Sequence, residues 1–137
     1  MSYNNATAYI EWVGTSEAEE VTESSPPNTG RITEALDKAH SEILNTLSSK
    51  YSPATLSALD LPDLKNMELS IARWNLDQLI QPRDFVFEQY KLVAARLRRL
   101  SDGKDSLAIP GGEPPVKGAG KAVWSNNLSK DLEPYGF

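Results

Sequence analysis

The stretch from Leu61 to Ile80, LPDLKNMELSIARWNLDQLI, constrains this chain most, because a helix placed over it is apolar around much of its circumference. At about 100° per residue, Leu64, Met67, Ile71 and Trp74 fall on one stripe, and Leu69, Ala72, Leu76 and Leu79 on a second. Only Asn66, Ser70, Arg73 and Asp77 form a strip suited to water. A helix with two apolar sides needs packing partners on both, so the pattern predicts the middle member of a helical bundle. Glu68 and Asn75 interrupt the seam between the stripes and require solvent or a polar partner. Asp60 is placed to cap the start and Pro62 suits the first turn, while Gln81-Pro82 ends the helix.

Two further long helices follow from the same periodicity. Over Arg31 to Tyr51, the residues Ile32, Leu36, Ala39, Ile43 and Leu47 share one face, with Lys38, Ser41, Asn45 and Ser49 opposite. Ser52-Pro53 ends that helix, and ATLSALD crosses to the next with room for a turn of its own. Over Arg83 to Ser101 the main stripe is Val86, Tyr90, Val93, Leu97 and Leu100, in alternating steps of four and three. Gly103 is placed to stop this helix, and arginines fill its last turns, where cations complement the dipole. A second, narrower line of Phe85 and Leu92, flanked by Arg96 and Arg99, is turned away from the first. One stripe suffices to join the core, so these four residues are the candidate subunit interface.

Ahead of the long helices, Asn5 to Val13 reads as a short helix ending at Gly14, and Ser16 with Glu19 has capping-box spacing for another turn or two. The segment SSPPNTG is expected as a surface loop without regular structure. At the other end, the chain after Ile109 has neither a helical nor a strand period, and Pro and Gly dominate its first half. It should not fold alone, yet it carries Val123, Trp124, Leu128, Tyr135 and Phe137, anchors suited to a partner's grooves. The expected fold is therefore all-α: a small bundle of three main helices with a short N-terminal helical segment over residues 1–109, and an extended C-terminal docking arm over residues 110–137. A frayed tail is the plainer alternative for the arm.

With 137 residues, 39% of them hydrophobic, the chain has room for one modest core. Cysteine is absent, which removes disulfides and thiolate chemistry and suits folding in a reducing cytoplasm. Neither a membrane span nor a secretory leader is expected. No enzymatic activity, cofactor or metal is expected either. His40 is the single histidine and shares the apolar face of its helix, which makes it a packed core-edge imidazole rather than a general base. Gly120-Lys121 is an isolated pair with no phosphate-loop context, and Glu17, Glu19 and Glu20 fit a solvated helix start. The net charge of -5 is unevenly placed: five acids and no Lys or Arg precede Arg31, whereas the helix from Arg83 is basic. Such polarity favours head-to-tail contact between copies. Arg96, Arg98 and Arg99 could instead meet phosphate, but Arg98 projects to a different side from the other two.

The pattern of Ala39, Ile43, Leu47, Tyr51 and Pro53, then Pro62 and Leu64 leading to Ile71-Ala72-Arg73-Trp74 and Leu76, then Tyr90, Leu97, Leu100, Gly103 and Ser106-Leu107, resembles the Mu-type phage head-tail connector, or adaptor, family. The opening Ala8-Tyr9-Ile10-Glu11-Trp12-Val13-Gly14 is similar to that family's first helix and glycine. The resemblance covers Asn5 to Ile109 and rests on packing residues; the tail after Pro110 has no counterpart in it. It implies a virion protein at the head-tail interface, folded in the host cytoplasm. Its copies would form a ring, a dodecamer, that joins the portal protein to the next neck or tail ring while DNA passes through the lumen. A small helical DNA-binding or DNA-packaging accessory protein is the alternative, with Arg96, Arg98 and Arg99 as its contacts.

Overall fold

The computed structural model describes residues 2–59 and 61–107, and every regular element among them is a helix. In chain order, α1 spans Ala6–Val13, α2 Thr15–Thr22, α3 Thr29–Leu47, α4 Pro53–Ala58, α5 Pro62–Leu79 and α6 Asp84–Ser101. The expected all-α bundle forms, with α5 as its middle member between α3 and α6. Asp60 lies outside the described residues, as does the arm with Val123, Trp124, Leu128, Tyr135 and Phe137.

Local chemistry sets the helix ends, and four of them correct the sequence reading: the starts of α2 and α3, the end of α3, and the cap of α5, which is Leu61 in place of Asp60. Asn5 caps α1 by accepting the Ala8 N–H, and Gly14 closes it by donating to the Ile10 carbonyl. Gly14 sits at φ 97, where a Cβ is unfavourable, and from there its own carbonyl accepts the Ala18 N–H to begin α2. Ser16 is therefore inside the first turn of α2, and no capping box with Glu19 forms. Asn28 accepts the Arg31 N–H and starts α3, which brings Thr29-Gly30 into the helix rather than the loop. That helix stops at Leu47, where the Lys50 and Tyr51 N–H groups both turn back to the Leu47 carbonyl. Tyr51, beyond the helix, is nonetheless buried. Ser52 caps α4, and Leu61 occupies the capping position of α5, ahead of Pro62 in the first turn.

Within α5 the two stripes bury Leu64, Met67 and Ile71 on one side and Leu69, Ala72 and Leu76 on the other. Trp74 stacks on α6, with ring centroids 4.9 Å from Phe87 and 5.8 Å from Tyr90. Two positions depart from expectation. Leu79, placed in a core stripe, is 67% exposed, and Asp77, placed on the wet strip, is only 1% exposed. Leu79 lies in the last turn of α5 and is left largely uncovered, while Asp77 is covered because it holds the turn into α6. On α6, Val86, Leu97 and Leu100 are buried and Tyr90 and Val93 pack at the core edge. Gly103, at φ 80, donates to Leu100 and Lys104 donates to Arg99, a Schellman closure that only a left-handed residue allows.

Candidate assembly surface

Among the described residues six large apolar side chains stand exposed: Trp12, Leu79, Ile80, Phe85, Phe87 and Leu92. They come from α1, the end of α5 and α6. Patches of this kind on a small protein mark places where another molecule is met.

A charged cluster organises the part of this surface where α1, α2, α5 and α6 converge. Pro82 turns the chain out of α5, and the buried Asp77 carboxylate secures the turn by accepting from Arg83 Nη2 at 2.6 Å, Nε at 2.9 Å and the backbone N–H at 3.3 Å. Glu17 of α2 reaches across to the same place. It accepts two hydrogen bonds from Arg73, at 2.7 and 2.8 Å, and two from Arg83, at 3.1 and 3.2 Å. Burial pushes the Glu17 carboxyl up, but the hydrogen bonds from Arg73 and Arg83 outweigh it and hold the group below its ordinary value. Arg83 is held above its ordinary value by its hydrogen bonds to Asp77 and Glu17.

The same guanidinium groups position aromatic rings. Arg73 lies 5.6 Å from the centre of the Trp12 ring and 5.1 Å from that of Phe85, and Arg83 lies 5.2 Å from Phe85. Trp12 and Phe85, far apart in sequence, thus share one cation. Beneath them Tyr9 is fully buried, and its hydroxyl has no hydrogen-bond partner among the described residues. Burial first, and then the Glu17 charge, raises the Tyr9 phenol well above its ordinary value.

The four residues read from the sequence as a subunit interface are not equivalent. Leu92 is the most open, 73% exposed, and Phe85 is 53% exposed with its ring partly covered by Arg73 and Arg83. Arg96 binds Asp63 at 2.6 Å and lies 3.7 Å from Asp105, so it ties α6 to the start of α5. Arg99 pairs with Asp105 at 3.2 Å. Of the three arginines considered as a phosphate patch, two are thus matched by carboxylates of their own chain. Trp12, Phe87, Leu79 and Ile80 were not singled out from the sequence as surface anchors. The position of Leu79-Ile80 just before a helix stop was the available hint, since a last turn loses its neighbours.

Between α3 and the end of α5 lies a groove of about 400 Å3, lined by Ala35, Leu76, Leu79 and Ile80 and by the charged Glu23, Arg31, Glu34 and Lys38. A second depression shares Ile80 and adds Glu20 and Gln81.

His40 belongs to a separate polar set inside the bundle. Its Nδ1 lies 3.2 Å from Glu68 Oε2, its Nε2 lies 3.5 Å from Ser57 Oγ, and the Tyr3 ring covers it at 4.5 Å. A serine, a histidine and a carboxylate in line invite comparison with hydrolytic triads. Here both Glu68 oxygens are occupied, by the N–H groups of Tyr3 and Asn4 at 2.8 Å each and by Asn4 Nδ2 at 2.9 Å, and His40 is 4% exposed. What the set does is fasten the N-terminal segment to α5, the partner that a carboxylate on the seam between two apolar stripes requires. Tyr3 completes the fastening by donating to the Leu56 carbonyl at 2.6 Å; burial, and then the Glu68 charge, pushes its phenol up to about 12. Among the described residues no group of His, Asp and Glu could hold a metal ion, and no helix is long and apolar enough to cross a membrane.

Residues 3–125 match the family model described as Bacteriophage Mu, Gp36. The match takes in all six helices and continues past Ile109, where the resemblance read from the sequence stops, into the tail. No curated protein matches the chain.

Proposed function

The chain belongs to the bacteriophage Mu Gp36 family, and from that premise we propose that it is a structural protein of the virion neck, an adaptor whose copies form a ring between the portal and the next neck or tail component. The observation that carries this reading is the set of exposed apolar side chains on helices whose inner faces already form a continuous core. Such side chains are costly to leave in water, and burial against sister copies removes the cost. The ring is a dodecamer by the family resemblance, and DNA crosses its lumen without sequence-specific contact. The arm of residues 110–137 reaches the portal, using Trp124, Leu128, Tyr135 and Phe137 as anchors.

Two measurements test the proposal. Sedimentation and electron microscopy of the full chain, alone and with portal rings, should show a closed ring. Deleting residues 111–137 should leave the helical signal intact and abolish capture by immobilised portal rings. Undiminished capture of the truncated chain would remove the arm from the reading.

A further inference from the structure

We infer that in the free chain the groove between α3 and the end of α5 is filled by the chain's own C-terminal arm, with Trp124 seated against Leu79 and Ile80. The inference concerns a molecule that has not yet met a portal and stands apart from the adaptor reading.

The groove offers an apolar seat. Ala35 and Leu76 form its buried floor, and Leu79 and Ile80 stand exposed at its edge. Its volume of about 400 Å3 falls within the range of clefts that take a bulky organic group. Its charged rim is balanced: Glu23 and Glu34 face Arg31 and Lys38, with Arg31 already beside Glu23 at 3.8 Å. An acidic or a basic occupant would meet a like charge there, whereas an uncharged one meets none.

The arm supplies such an occupant. Between Lys121 and Lys130 it reads AVWSNNLS, a run without charge that carries two large apolar side chains, Trp124 and Leu128. The serines and asparagines beside them bring hydrogen-bonding groups suited to a polar rim. Tyr135 and Phe137 follow Lys130, Asp131 and Glu133, and so fit a balanced rim less well.

Length favours the chain's own arm over any other occupant. The described residues end at Leu107, buried in the core near the start of α5, where Asp105 lies beside Arg96 and Arg96 binds Asp63. The groove lies at the other end of that helix, about 27 Å away at the rise of an α-helix. Residues 108–121 separate Leu107 from the uncharged run, and a chain of that length spans up to roughly 46 Å. The arm therefore reaches along α5 with slack for the way around the bundle. So short a tether holds the run at an effective concentration of about millimolar, which a second copy or another protein must exceed to take the same groove. A portal with a better seat for Trp124 draws the arm away and leaves Leu79 and Ile80 open to sister copies.

The chain has no cysteine, so introduced thiols report the contact. Glu34→Cys, exposed at the groove, is paired with Ser125→Cys in the full chain. The comparison variant pairs Ser125→Cys with Ser49→Cys, an exposed position at the end of the bundle where the arm leaves and which an unseated arm would meet more often. Both are treated, dilute and without portal rings, with a short thiol-to-thiol crosslinker, and links within one chain are identified by mass spectrometry. The expected rate for the Glu34 pair is about tenfold above that for the Ser49 pair, because a seated arm raises the local concentration of its thiol. Adding Leu79→Glu, at an exposed position where the helical signal should be unchanged, should bring the two rates together. Equal rates at the outset, or a difference that Leu79→Glu leaves intact, would overturn the inference. Links between chains in place of links within one would overturn it in favour of arms exchanged between copies. With portal rings absent, each outcome leaves the adaptor reading to its own tests.

Discussion

The backbone N–H of Tyr3 donates to the Glu68 carboxylate at 2.8 Å, so the N-terminal segment is fastened to the middle of α5. Asn4 adds two more donors to the same carboxylate and His40 closes its other side. Glu68→Gln keeps the volume but replaces one acceptor oxygen by a donor that faces donors. Its expected cost is about 2 kcal/mol, the scale of hydrogen bonds to a charged group. Urea unfolding checks this, and an unchanged midpoint would mean that the segment is held by something else.

Tyr9 presents the opposite case, a buried hydroxyl without a partner. Tyr9→Phe removes that group and leaves the ring in place, so it should raise stability by about 1 kcal/mol, since an unmet buried hydroxyl costs more than its loss. A destabilised variant would show that water links the hydroxyl to the carboxylates nearby.

The Glu17 cluster should give the protein a distinct acid limb. Because the folded carboxyl is held below its ordinary value of 4.5, its contribution is complete above that pH and is lost as pH falls through the lowered value. Glu17→Gln should therefore cost about 2 kcal/mol at neutral pH, less than for a fully buried pair because Arg83 keeps Asp77, and should flatten the decline below pH 4.5. Denaturant midpoints measured across that range decide it; parallel acid limbs would show that Glu17 is not held in this way.

Surface and core roles on α6 separate by stability. Leu92→Ser combined with Arg99→Glu should change monomer stability by no more than about 0.5 kcal/mol, because the leucine is open and the ion pair with Asp105 is solvated. The same pair of changes should weaken ring formation. Phe85→Ser should behave differently and cost about 1 kcal/mol, since Arg73 and Arg83 both rest on that ring. Calorimetry beside sedimentation distinguishes the two, and a collapse of the melting temperature in the first variant would place Leu92 in the core.

The long helices were legible because their apolar spacing is local and repeats many times. Leu64, Met67 and Ile71 on α5, and Val86, Leu97 and Leu100 on α6, lie where their intervals placed them. Helix ends were harder to read, because one side chain decides each. Asn28 overrode the loop character of Thr29-Gly30, and Gly14 served two helices at once and left Ser16 no capping role. The polar clusters were the least visible. Glu68 was recognised as needing a partner, but its donors are 64 and 65 positions away, a distance at which no periodicity speaks. Asp77 looked solvated on a helical wheel, which cannot show that the chain turns back at Pro82 and brings Arg83 over it.

The Asp77 to Arg83 clasp has a consequence for any surface that spans the corner it fixes between α5 and α6. Leu79 and Ile80 stand just before that corner and Phe85 just after it, so their spacing holds only while the clasp is closed. If sister copies meet at this corner, as proposed above, a slackened clasp would misalign every such contact by the same angle rather than loosen one molecule alone.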